Sequence, residues 1–475
     1  MIVVHGMELH ATTKTVVALD LSHSWLQGPL HSNSSLFKLH ALRRINLSFN
    51  NFSFSIIPSE FGHLSRKLPN SIGNLNSLSR LALRDCNFVR PLPSSIWNLS
   101  QLTYLDLSGN PFTGHVLPSI SESLAKLTYL ALQSCQFSGE LPSSLGNLTR
   151  LEVLSEFPEF LKTQDQLRAL DLSWNKIESE IPKWFWAIGK TLEFLDLSGN
   201  KLHGSFTFPP LFMSISYFFI SRSNLTGIIQ PSICKWTGLK VLDMSENHFS
   251  GTIPQWLVSS LEILNLQGNN FNGSIPHEIF ANGDMQNTMR VLDLSHNQFQ
   301  GRIPQSLINC SKLQVLNLGH NQISDTFPFW LQSLPELQVL PMSMMNKGSE
   351  MEVRKALKIF TSIDFSNNKF EGDIPSSICK LQSLIMLNLS SNNFTGTMPS
   401  SLGSLSELES MDLSENNLSG RIPQQLANLT FLAYLNLSHN QLVGPIPHGT
   451  QLDTFSYSSF RGNPGLCGPS IVKEM

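Results

Sequence analysis

Residues suited to chemistry are spread thinly through this chain. Six Cys and fourteen His occur in 475 residues. No Cys-x-x-Cys, His-Glu-x-x-His, Gly-x-Ser-x-Gly or phosphate-loop glycine pattern occurs, so no zinc, hydrolase or nucleotide site is indicated. The His-Arg-Asp and Asp-Phe-Gly triplets of a kinase are absent as well. His296, His320 and His439 recur at one point of a repeated phrase, which reads as a solvated column and not a metal pair. The expectation is a protein that is not an enzyme and holds neither metal nor cofactor. The formal charge is −3 and no Lys/Arg run occurs, which argues against nucleic acid or an anionic membrane surface as partner. One motif is abundant. The acceptor pattern Asn-x-Ser/Thr occurs at Asn33, Asn46, Asn51, Asn98, Asn147, Asn224, Asn272, Asn309, Asn388, Asn393, Asn417, Asn428 and Asn436. That suits a glycoprotein of the secretory route, although Asn-Leu-Ser also belongs to the repeated phrase.

Positioning must come from the repeat. The chain holds 74 Leu and 37 Asn. Leu105-Asp106-Leu107-Ser108-Gly109-Asn110 returns as Leu195-Asp196-Leu197-Ser198-Gly199-Asn200 and as Leu435-Asn436-Leu437-Ser438-His439-Asn440. The first apolar residue of each copy falls at 19, 45, 81, 105, 130, 170, 195, 218, 242, 264, 292, 316, 363, 387, 411 and 435, with partial copies at Leu154 and Leu340. Alternate Leu side chains of one short strand point to one side, and only stacked copies bury that side. The pattern predicts a solenoid with a parallel sheet. An Asn column then runs inside the coil, at Asn50, Asn110, Asn175, Asn200, Asn247, Asn269, Asn297, Asn321, Asn368, Asn392, Asn416 and Asn440. Each amide is expected to satisfy backbone groups where the strand ends. Cys86, Cys135, Ser24 and Ser223 take the same place elsewhere. The second half of the repeat reads Gly-x-Ile-Pro and then feeds further Leu into the core.

Candidate binding residues lie between the core positions. One column reads Tyr104, Tyr129, Val153, Ala169, Phe194 and Tyr217, with Trp174 at the next turn, and then turns aliphatic from Val241. Side-by-side stacking of neighbours along the sheet is the default reading; the functional one is an aromatic patch for a protein or peptide, since such residues dominate hot spots. Beside it run Asp106, Asp171, Asp196, Asp243 and Asp293, which repel unless hydrogen-bonded or met by a cation. A mildly acidic face preferring basic ligands is the functional reading. The spacing of Cys234, Cys310 and Cys379 puts no two in adjacent repeats, so no disulfide framework is expected.

The phrase L-x-x-L-x-L-S-x-N-x-F/L-x-G-x-I-P resembles the plant extracellular class of leucine-rich repeats. Ser34 to Leu39 with Ile45 to Ser48, Lys347 to Glu352 with Phe360 to Ser366, and Thr450 to Gly468 resemble successive segments of plant receptor-like proteins. The resemblance implies an α/β-type leucine-rich repeat solenoid, a curved right-handed superhelix. Its parallel β-sheet lines the concave face, with a second short strand and 3-10 or loop segments on the convex side. It also implies five parts: a cap remnant over 1–15, repeats over 16–340 with seams near 65–69 and 155–166, a shortened island at 341–359 with a helix over 349–359, four regular repeats over 360–449, and a shortened cap over 450–475. No signal peptide or membrane-spanning stretch is evident, so a fragment, shortened product or incomplete gene model is expected. Members of that family sit in the plasma membrane with repeats outside, bind protein or peptide ligands, and signal through receptor kinases in defence or development. The alternatives are a soluble polygalacturonase-inhibitor-like protein and a non-functional remnant. A partner kinase is expected at the turn side, around Glu415, Asn417 and His439. The strand surface Ser362, Met386, Ser410 and Ala433 would be screened by glycans on Asn388 and Asn436.

Overall fold

A computed structural model describes residues 8–12, 15–52, 67–89, 92–112, 124–135, 166–208, 214–255, 257, 261–277, 288–334 and 361–468. Leu154, Leu340, Asn147, the island 341–359 with its helix, residues 65–66 of the first seam and 155–165 of the second lie outside them. The chain forms two compact units, residues 1–226 with 235–239, and residues 227–234 with 240–475.

Every full copy of the phrase becomes a strand. In the first unit parallel strands run through Thr15–Asp20, Arg44–Asn46, Arg80–Ala82, Tyr104–Asp106, Tyr129–Ala131, Ala169–Asp171, Phe194–Asp196 and Tyr217–Phe219. An antiparallel strand, Glu8–Thr12, covers the first of them. In the second unit they run through Val241–Asp243, Ile263–Asn265, Val291–Asp293, Val315–Asn317, Ser362–Asp364, Met386–Asn388, Ser410–Asp412 and Tyr434–Asn436. The register is strict. Leu81 stands opposite Leu105, and Leu387 opposite Met411, because any slip of one residue would turn the Leu face outward. Short second strands pair in parallel, such as His248–Gly251 with Asn270–Gly273. Single-turn 3-10 segments follow the Pro of Gly-x-Ile-Pro, as at Ser94–Asn98 and Gln424–Asn428. Phe rings stack inside, Phe249 on Phe271 and Phe271 on Phe299 at 6.4 and 6.3 Å.

The Asn column does what its chemistry demands. Asn416 Nδ2 donates to the carbonyls of Leu389 and Leu413, and its Oδ1 accepts from Phe394 N–H. Asn110 Oδ1 accepts from both Cys86 and Phe88 N–H. The Cys86 and Cys135 thiols replace the amide by donating to the carbonyls of Leu47 and Leu107. Burial pushes the Cys86 thiol up to about 12. Cys86, Cys135, Cys379 and Cys467 form no disulfide. One rung escaped the sequence reading. Asn463 donates to the carbonyls of Leu437 and Phe460 and accepts from Leu442 N–H, so the C-terminal segment extends the column with a rung that has no strand in the main sheet, only the short outer strand Gly465–Cys467.

The residue before each Asn adopts a left-handed conformation, from His23 (φ 52°) to His439 (φ 54°), whatever its type. Its N–H reaches the next repeat's carbonyl, as Trp174 to Ser198 and Glu415 to Ser438. That bond offsets the roughly 1 kcal/mol or more that L-residues lose there.

The partial copies at Leu154 and Leu340 lie outside the described residues. Tyr129–Ala131 pairs directly with Ala169–Asp171, and Val315–Asn317 with Ser362–Asp364, so each strand already has both neighbours. The ladder also runs unbroken over the first long gap, with Leu47 N–H on Ala82 carbonyl.

Candidate ligand-binding face

On each strand the residues flanking the buried Leu face outward together, and the two units use them differently. In the second unit the column after the Leu alternates: Asp243, Asn265, Asp293, Asn317, Asp364, Asn388, Asp412, Asn436. Each Asp takes the N–H of a following residue, as Asp412 Oδ1 does from Ser414 N–H and Oγ–H. The next strand's Asn then closes the other oxygen. Asn317 reaches Asp293 at 3.1 Å, Asn388 reaches Asp364 at 3.2 Å and Asn436 reaches Asp412 at 3.2 Å. Like charges never stand on adjacent strands there. Burial raises the Asp293 carboxyl, against the hydrogen bonds of Ser295 and Asn317.

These bonds bear on three of the sequons. The amide nitrogens of Asn46, Asn388 and Asn436, where a glycan would attach, donate to Asp20, Asp364 and Asp412. Asn33, Asn98, Asn224, Asn272, Asn309, Asn393, Asn417 and Asn428 are exposed. The register also corrects the last strand surface. Tyr434, and not Ala433, stands beside Ser410. Tyr434 is 50% exposed and donates its hydroxyl to Asp412.

The first unit starts the same way, with Asn46 on Asp20. Burial tends to raise Asp20, but Ser22, Asn46 and nearby Arg80 hold it below the usual range. The alternation then fails. Ala131 stands opposite Asp106, Asp196 opposite Asp171, and Phe219 opposite Asp196. Asp106 and Asp171 keep their Ser108 and Ser173 hydrogen bonds. No Asn bridges them. Burial raises both carboxyls, with Ser108 and Ser173 opposing.

Aromatic rings replace aliphatic ones in the column beside it. Arg80 lies 4.0 Å over the Tyr104 ring, and Tyr104 stacks on Tyr129 at 4.1 Å. Ala169 follows directly, and Val153 lies outside the described residues. Phe194 lies 6.4 Å from Tyr217 and 5.7 Å from Phe219. Trp174 is 41% exposed and carries Arg222 at 5.4 Å. Gly199 makes room for it; a Cβ there would fall 2.7 Å from the indole. Burial raises the Tyr104 and Tyr129 hydroxyls, so both stay protonated donors. The structure thus gathers Tyr104, Asp106, Tyr129, Asp171, Trp174, Phe194, Asp196 and Tyr217 on one face of one unit.

The partner-contact residues split. Glu415 and His439 share the left-handed column, with Glu415 accepting from Ser391 Oγ–H at 2.7 Å. Asn417 lies on the other row, bonded to Asn393 and Gln441. Among the described residues no group of three His, Cys, Asp or Glu fits a metal, and no helix is long and apolar enough to cross a membrane.

Family models described as "Leucine-rich repeat region" match residues 11–157 and 69–196, and "Leucine rich repeat" matches 287–346 and 382–442. Arabidopsis thaliana receptor-like protein 18 is 36% identical over 275 residues, which is 49% of this chain and 33% of that protein. Receptor-like protein 49 of the same plant is 50% identical over 113 residues, 24% of this chain and 13% of that protein. The chain belongs to the leucine-rich repeat proteins, and the curated relatives it resembles are plant receptor-like proteins. It spans about a third of the length of receptor-like protein 18. Among solved structures, the leucine-rich repeat ectodomain of the Arabidopsis receptor kinase GASSHO1/SCHENGEN3, in complex with CASPARIAN STRIP INTEGRITY FACTOR 2, is similar at 33% identity and TM-score 0.73, over 95% of this chain and 50% of that one. The Arabidopsis HAESA ectodomain with an IDA peptide hormone is similar at 29% and 0.61, over 95% and 74%. HAESA with IDA and the co-receptor SERK1 is similar at 25% and 0.55, over 98% and 93%.

Proposed function

We propose that this receptor-like protein recognises an extracellular peptide or protein along the strand face of its first unit. The observation that carries this is the broken Asp/Asn alternation beside a half-buried aromatic column with Trp174 exposed at its edge. In the sister unit an Asn stands beside each Asp; here Asp171 and Asp196 stand on adjacent strands, each bonded by the Ser two residues on. A basic side chain from a ligand would meet both carboxylates, and the aromatic rings supply contact area and cation–π attraction. The similar ectodomains solved with peptide ligands support a binding role over a catalytic one. Signalling then runs through a partner receptor kinase ectodomain at the turn side, around Glu415, His439 and Asn417, with the repeats on the outer face of the plasma membrane. The structure solved with SERK1 supports that kind of partner. The test is selection of peptides from a displayed library on the full chain. Enriched sequences should carry Arg or Lys beside apolar residues and lose binding about tenfold on Trp174→Ala. Enriched peptides that bind Trp174→Ala undiminished would contradict the placement.

A further inference from the structure

The same aromatic column has an opposite electrostatic character at its other end. Arg43, Arg44, Ser79 and Val17 line a cavity of about 450 Å³ at the beginnings of three adjacent strands. Arg44 stands in register with Arg80, Arg80 with Tyr104, and Tyr104 with Tyr129, so one row of the sheet leads from the cavity's rim to the stacked rings. Its polar lining is otherwise satisfied. The Arg43 carbonyl accepts from Ser79 N–H, Arg80 N–H and Ser79 Oγ–H. The nearest acid on the strands, Asp20, is engaged by Ser22 and Asn46. The Arg43 and Arg44 guanidinium groups are exposed and make no ion pair or hydrogen bond among the described residues. Two unpaired guanidiniums over a cavity are donors in search of an anion, and carboxylate fits their planar fork.

We infer that this cavity is a subsite for an acidic residue of the same peptide whose basic residue meets Asp171 and Asp196. The inference rests on the ligand face proposed above. A polyanionic saccharide would suit the arginines but would meet carboxylates farther along the column; a peptide of mixed charge suits both ends. The spacing follows from the register. Four strand steps separate Arg44 from Ala169, beside Asp171. At about 4.8 Å per step that is about 19 Å, which an extended peptide covers in about six residues. The ligand therefore carries an acidic and a basic residue about six positions apart, with apolar residues between them.

The test uses the full chain and a synthetic Ser/Gly/Tyr peptide bearing one Glu and one Arg about six positions apart. Binding is followed by fluorescence anisotropy at low salt. Glu→Gln in the peptide and the double variant Arg43→Gln/Arg44→Gln should each weaken binding about tenfold, and together no more than either alone. A peptide with the two charges adjacent should bind about tenfold more weakly. Equal discrimination between Glu and Gln peptides by the double variant would overturn the subsite, as would a sulfated oligosaccharide displacing the peptide at lower concentration, or no binding of the peptide. A different failure marks the underlying reading: binding that responds to Arg43 and Arg44 but ignores Asp171→Asn and Trp174→Ala.

Discussion

The two units build the same strand from the same phrase, yet only one leaves its outer face unfinished. In the second unit Asp364, Asn388, Asp412 and Asn436 close on each other by hydrogen bonds from strand to strand. In the first, Asp171 and Asp196 are neighbours, and Tyr104, Tyr129, Phe194 and Tyr217 replace the smaller Val241, Ser362 and Ser410. A face that satisfies itself serves stability. A face that carries carboxylates on adjacent strands is less favourable at neutral pH, and a basic partner would offset that repulsion. This contrast is the basis on which we propose the first unit as the recognition surface.

The largest effect concerns what both units share. Asn110→Leu and Asn416→Leu each strand backbone groups inside the coil and should cost about 1–3 kcal/mol. Urea denaturation of the full chain checks this, and the effect should be alike in the two units. Next, Asn388→Asp copies the first unit's pattern into the second, setting three Asp in a row. The lost hydrogen bond and the new repulsion should cost about 1–2 kcal/mol. The converse change comes third. Asp171→Asn keeps an acceptor for Ser173, as Asn388 does for Ser390. The folded pKa of Asp171 is raised, so its favourable contribution is complete below 3.8 and is lost as pH rises through the raised value. The variant should therefore be about 0.5–1 kcal/mol more stable at pH 7, a gain that vanishes towards pH 4. Unchanged or lower stability at pH 7 would break the comparison. The smallest effect lies in the second unit's turn column. The rings of His296 and His320 stack at 4.0 Å, and burial and His296 lower the His320 pKa. Its contribution is present above 6.5 and lost as pH falls through the lowered value. His320→Asn should flatten a slight decline in melting temperature over that window.

Most of the fold was legible because burial leaves a periodic trace. Each full copy from Leu19 to Leu435 became a strand, and the Asn column was visible since no other side chain offers donors and acceptors in that geometry. Asn463 was hidden because its repeat lacks the L-x-L phrase; the preceding Gly462, in the left-handed place, was the available signal. The left-handed column itself leaves no trace in composition, holding His23, Phe49, Trp174 and Glu415 alike, since bonds to the next repeat impose it. The aromatic and acidic residues were found from their column. Their meaning needed the cross-strand partners, which only register reveals, and so did the pairing of Tyr434 with Ser410.

The central claim is tested most directly by neutralising both faces and measuring affinity for one basic peptide selected on the full chain. Asp171→Asn/Asp196→Asn should weaken binding about tenfold, the scale of a lost charge-assisted contact, while Asp364→Asn/Asp412→Asn should leave it unchanged. Equal losses from both pairs, or a loss only from the second, would contradict the assignment of recognition to the first unit.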